Sequence, residues 1–224
     1  MKKLFELINK NFEFSQFFPS FHSKEKKDSP IITVSREKGS GGRPIAFLVA
    51  KELGSPWTVF HKDIVEEIAK EVHLEKELIE EVDEAQIPLI TQLVDNMLGK
   101  QYLNLSGYYK HLVRILSTIG QRGHAIIIGR GANFLFPQAF KVRIVCEMEE
   151  RIRGVMKYEK VNRREAMALI EKSDRERTHF TQSLFQHDPS KAHHYDMVIR
   201  TGKNLSLEDA AEIIVNTARK RFGL

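Results

Sequence analysis

The sequence predicts an α/β fold with a mainly parallel β-sheet flanked by helices. Three observations predict it. Short apolar, β-rich runs alternate with stretches of helical periodicity, the pattern of βαβ units. A glycine-rich loop, SREKGSGGRPIA (35–46), stands where the first such run passes into a helical pattern. The 224 residues, 42% hydrophobic and 29% charged, are enough for one such domain with an inserted lobe.

Residues 1–30 differ from the rest. They hold six of the fourteen phenylalanines and end in the polar stretch SKEKKDSP, which reads as a linker. Such a segment is expected to dock on its own domain, a second subunit or another partner. IITVS (31–35) then reads as a strand buried on both faces. A helix is expected over 44–53, with Ile45, Leu48 and Val49 on one face, Pro44 in the first turn and Gly54 as its stop. WTVF (57–60) is a second strand, with Trp57 in the core, and 63–72 an amphipathic helix. Residues 74–122 are helical in pattern without a strand, far longer than one crossover needs, and predict an inserted lobe. AIIIG (125–129) and KVRIVC (141–146) are strands, 148–178 is helical and highly charged, and YDMVIR (195–200) is the last strand. Ser206, with Asp209 three residues on, caps a final helix. The charged stretch 148–190 predicts a second movable element.

Composition excludes several classes of function. No run of 18 apolar residues exists, so no membrane span is expected. The apolar residues of the N-terminus are broken by Glu6, Asn9, Lys10, Asn11 and Glu13, so no signal-peptide core is read and a cytoplasmic location is expected. The single cysteine, Cys146, allows no intrachain disulfide and is expected to be a small buried side chain. The formal net charge of +5 favours anionic partners. His179, His187, His193 and His194 cluster around Asp188, but at no spacing that defines a metal site, and no metal is assigned. The terminal ARKRF complements a helix dipole, and nucleic acid is not expected as a partner.

Three constellations carry chemistry. Gly39, Ser40, Gly41, Gly42 and Arg43 form a loop whose N–H groups, with the helix N-terminus behind them, suit a phosphate. The P-loop spacing G-x-x-x-x-G-K-[ST] is not satisfied, because Gly42 stands where the lysine belongs. Arg36, Lys38 and Arg43 are the candidates to replace its charge, and a plain strand–helix turn remains the alternative. Arg130 follows the strand AIIIG, where an open α/β sheet binds ligands. Its bidentate fork can reach a phosphate or pair with a carboxylate. The charged helical region places Arg151, Arg153, Asp174, Arg175 and Arg177 in order. These residues form either a solvated helix face or a lid whose arginines meet a transferring phosphoryl group.

Taken in order, ITVSREKGSGGRPIAFLVAKELG, AIIIGRGANFLF, EERIR, DRER and HYDMVIRTGKNLSLEDA resemble the cytidylate kinase-like branch of the P-loop nucleoside monophosphate kinases. The resemblance spans about residues 31–221. It implies a P-loop NTPase-type sheet with a helical acceptor-binding lobe at 74–122 and a helical lid at 148–190. It implies ATP as phosphoryl donor, Mg²⁺ arriving with the nucleotide, and a small phosphorylated acceptor such as CMP or dCMP. Residues 39–43 would cradle the donor phosphates, Arg130 would grip the acceptor, and Arg151, Arg175 and Arg177 would meet the transferring phosphate. Arg36 belongs to the branch pattern and is the first candidate for the lost charge. Gly131 stands where cytidylate kinases proper carry an aspartate, His61 where the branch commonly has one, and Gly154 where another lid arginine is usual. A non-catalytic nucleotide-binding module and a kinase for a different small acceptor therefore remain open.

Overall fold

The computed structural model describes residues 30–62 and 107–224. The phenylalanine-rich segment, the helix expected over 63–72 and the lobe up to residue 106 lie outside the described residues. The described residues hold five strands: β1 (Ile31–Arg36), β2 (Thr58–Phe60), β3 (Ala125–Ile128), β4 (Phe140–Cys146) and β5 (Met197–Thr201). Around them run α1 (Gly42–Leu53), α2 (Gly107–Arg122), the short α3 (Ala132–Leu135), α4 (Met148–Glu159), α5 (Arg163–Phe185) and α6 (Leu207–Phe222).

These five strands pair in parallel, in the order β2-β3-β1-β4-β5. Ile31 faces Ala125 across one edge of β1, and Ile32 faces Phe140 across the other. Chain direction across the sheet therefore reverses around β1, the place where such sheets open a crevice beyond the strands' carboxyl ends.

The sheet is buried on both faces because its strands alternate between two cores. Ile32, Val34, Ile126, Ile128, Val142 and Ile144 meet Ile45, Ala46 and Val49 of α1 and Ala211, Ile214, Val215 and Ala218 of α6. The α6 positions recur at three- and four-residue spacing, one stripe of a helix. Ile31, Ile127 and Phe60 meet Leu112, Leu116 and Ile119 of α2, with Leu184 and Phe185 from the end of α5. Each such aliphatic side chain contributes about 1.5–3 kcal/mol on burial.

Differences from the sequence reading are local. The helical region 148–178 is two helices, since Lys160 adopts φ 55° and ends α4. Asn162 then starts α5 with a reciprocal capping box to Glu165. Ile152, Val155, Ala166 and Ile170 give this helical pair a small core of its own. The last strand begins at Met197, because the Asp196 carboxylate instead accepts from the Lys141 N–H at 2.9 Å. Cys146 is half-buried rather than buried. Trp57 is in the core, and Ser206 and Asp209 form the expected capping box.

Candidate functional site

A cavity of about 520 Å³ opens beyond the carboxyl ends of β1 and β3. Ser35, Arg36 and Glu37 form its floor, Gly129, Arg130, Gly131 and Asn133 one wall, and α5 the roof through Asp174, Arg177, Thr178 and Thr181. The roof residues recur every three or four positions, so one helix face looks into the cavity.

Arg36 decides the shape of the loop. A Cβ on Gly42 would lie 2.6 Å from Arg36 Cβ, and one on Gly129 would lie 2.1 Å from Arg36 Nη1. The arginine stem thus crosses Gly42 and its guanidinium lies against Gly129. The absent lysine has no room, because its stem would collide with Arg36. Burial first, then the cations of Arg177, Arg130 and Arg43, lower the Arg36 pKa to about 9, against the opposing pull of Asp174. It remains protonated at neutral pH, in surroundings that favour an added anion.

The other two candidates for the lost charge point elsewhere. Lys38 Nζ pairs with Glu159. Arg43 Nη2 lies 3.2 Å from His61 Nε2. Of the three, Arg36 is the one that lines the cavity.

The glycine loop is tied down on its far side. The Thr201 hydroxyl donates to Ser40 O at 2.8 Å, Ser40 Oγ to Glu37 O at 2.9 Å, and Arg151 Nε to Lys38 O at 2.8 Å. Gly39 packs against the backbone of Arg151 and Gly41 against Leu207. Gly39, Ser40, Gly41, Gly42 and Arg43 accordingly flank the cavity without lining it. Of these five, Gly42 and Arg43 begin α1, with Gly41 as its N-cap.

Arg151 is 5% exposed and does not line the cavity. It holds Lys38 O, pairs with Asp174 and sits 3.7 Å from Glu37. Arg177 lines the cavity, donates to Arg36 O at 3.1 Å and stands 3.6 Å from Asp174. Burial first lowers the Arg177 pKa, and the Asp174 charge opposes that shift. Arg130 lines the cavity with its guanidinium 5.5 Å from the Phe180 ring centre.

Arg175 does not line the cavity. Its side chain is 74% exposed and pairs with Glu171 on the solvent side of α5. Positions two apart on a helix point in nearly opposite directions, so Arg175 and Arg177 cannot share one site.

Sequence reasoning missed Glu37, Arg143 and Asn133. Arg143, a cation inside an apolar strand, lies 5.5 Å from the Tyr195 ring centre and 3.9 Å from Glu37. Its placement within KVRIVC was the available signal. Glu37 also accepts from the Cys146 N–H at 3.1 Å. Asn133 is 3% exposed and meets Ser35 Oγ at 3.4 Å.

The place of the missing aspartate is occupied. A Cβ on Gly131, at φ 67°, would fall 1.9 Å from Phe185 Cε2. Phe185 stacks on Phe134, whose other neighbours include His187 and His194. Among the described residues no group of His, Cys, Asp or Glu side chains is arranged to hold a metal ion. Arg43 stands where a P-loop hydroxyl would meet Mg²⁺, and Glu37 and Asp174 are already engaged by arginines. The donors present fit a phosphate; a magnesium ion would rely on the nucleotide's own oxygens and water. No helix of the described residues is long and apolar enough to cross a membrane.

Comparison with one solved structure agrees with the fold. An uncharacterized protein from Eubacterium ventriosum superposes with a TM-score of 0.66 at 19% identity, over 86% of this chain and 99% of that one. A Thermus thermophilus protein matches with a TM-score of 0.49 at 19% identity, over 85% and 98% of the two chains. No curated protein matches the sequence. The profile of the cytidylate kinase-like family matches residues 31–203, and the chain belongs to that family.

Proposed function

We propose that the protein is a phosphotransferase that moves the γ-phosphoryl group of ATP to a small phosphorylated acceptor, with nucleoside monophosphates such as CMP or dCMP as the first acceptors to test. The observation that carries this reading is the convergence of Arg36, Arg130 and Arg177 on one cavity at the carboxyl ends of β1 and β3. Phosphoryl transfer spreads negative charge over the equatorial oxygens, and fixed guanidinium groups stabilise that charge without reorganising. Arg36, whose stem crosses Gly42 and whose guanidinium lies against Gly129, is the candidate to supply the missing lysine's charge. Arg177 enters from the roof and Arg130 from the acceptor side. No covalent intermediate is needed, because alignment and charge stabilisation lower the barrier. Magnesium carried by the nucleotide would neutralise part of the phosphate charge.

The acceptor side favours a second reading, a kinase for a different small acceptor. Phe185 fills the space beside Gly131, so a carboxylate for a nucleobase is absent there. A neutral polar pair, Ser35 and Asn133, lies nearby instead.

One experiment separates these readings. Purified protein is incubated with ATP, Mg²⁺ and a panel of nucleoside monophosphates and sugar phosphates, and ADP release is followed. Release with CMP or dCMP supports the first reading, and release only with another acceptor supports the second. Nucleotide that raises the melting temperature without any turnover would instead identify a non-catalytic binding module. Arg36→Ala is expected to weaken ATP binding or turnover at least tenfold, about 1.4 kcal/mol, and Arg130→Ala to raise the acceptor KM.

A further inference from the structure

The Asp174 carboxylate lies among donors from three parts of the chain. The Lys38 backbone N–H, in the glycine loop, donates to Asp174 Oδ1 at 2.9 Å. The buried guanidinium of Arg151, from α4, pairs with Oδ2. Arg177 Nη1, one turn along α5, stands 3.6 Å from Oδ1. From the floor, the Arg36 guanidinium also feels the Asp174 charge.

A backbone amide of a phosphate-type loop with two guanidinium groups is a donor set for a phosphoryl group. An ionised carboxylate presents the same acceptor-only oxygens at lower charge. We infer that the point held by Asp174 is a phosphoryl subsite and that Asp174 is its internal placeholder, displaced when a ligand's phosphate enters. The inference rests on the phosphate-site reading above and goes beyond it, because it makes ligand entry an exchange of anions.

Exchange rather than addition follows from charge. A phosphate and a carboxylate drawn to the same donors would repel as like charges. The carboxylate must leave, and its side chain, 32% exposed, turns out toward solvent while the Lys38 N–H and the Arg151 guanidinium stay in place.

Binding of inorganic tripolyphosphate and of MgATP to the parent and to Asp174→Asn, measured by calorimetry, tests the inference. The variant keeps the side chain's shape and removes its charge. It is expected to bind tripolyphosphate roughly tenfold more tightly than the parent, a change of about 1.4 kcal/mol. If Asp174 served only to orient Arg151, the variant would bind equally or more weakly, and that result overturns the inference. A measurement on the parent alone guards against a variant that folds poorly. The Lys38 amide resonance must move, and its exchange with solvent must change, as tripolyphosphate saturates the protein. A Lys38 amide that stays unchanged at saturation overturns the inference. If neither protein binds tripolyphosphate or MgATP, the phosphate-site reading itself fails and the placeholder falls with it.

Discussion

At the scale of single residues, Arg36 and Gly42 act as one unit. The arginine stem fills the space a lysine at position 42 would need, so the two solutions exclude one another. Gly42→Lys is therefore expected to overpack the loop and cost about 1–3 kcal/mol of stability. It should weaken ATP binding rather than restore it. The double variant Arg36→Gly with Gly42→Lys should recover most of the stability, so that the two changes are far from additive. Thermal melting with and without ATP checks both expectations. The sequence named Arg36, Lys38 and Arg43 without choosing among them. The choice depends on Glu159 and His61, which reach these side chains only after the chain has folded. The placement of Arg175 outside the cavity is different in kind. Helical geometry already forbids Arg175 and Arg177 from sharing a face, and only the direction of that face required the structure.

At the scale of elements, the strands were legible because each apolar run coincides with one, and each strand's ends lie within two residues of those expected. The break within the charged helical region was not read, since no glycine or proline marks it. The signal was Asn162 followed by Glu165, a capping pair hidden in a run of charges. Asn162→Ala is expected to destabilise α5 by about 1 kcal/mol. Hydrogen exchange should show the loss in the first turn of α5 and leave the β-sheet amides unaffected, since the α4–α5 pair has its own core. A variant that loses protection evenly across the sheet would show that the pair is not a separate unit.

At the scale of the whole molecule, acid should unfold the protein earlier than exposed histidines alone would require. Burial lowers the pKa of His124, packed edge-on to Trp57, and burial together with His193 and His187 lowers that of His194. A histidine whose pKa is lowered on folding binds fewer protons in the native state than in the unfolded one. Its contribution is complete above the ordinary value of about 6.5 and is lost as pH falls through the lowered native value. Melting temperature is expected to decline between about pH 7 and pH 5, and His124→Asn combined with His194→Asn should flatten that decline. Thermal scans by circular dichroism at several pH values check this. The order of the strands was not legible at all, because any apolar run could have been the neighbour of any other. Crossover direction and packing on the two helical layers settle it.

That order has a consequence in time. Strand β1 lies in the middle of the sheet, yet it is made before both of its neighbours. On a ribosome the interval between synthesis of β1 and completion of β4 is on the order of ten seconds. Until β3 is made, Ile31, Ile32 and Val34 have neither edge paired by a neighbouring strand, and until β4 follows they lack the second. The segment that ends in Arg36 is thus the nascent chain's most vulnerable stretch, and a holding chaperone that recognises short aliphatic strands would find its earliest target there.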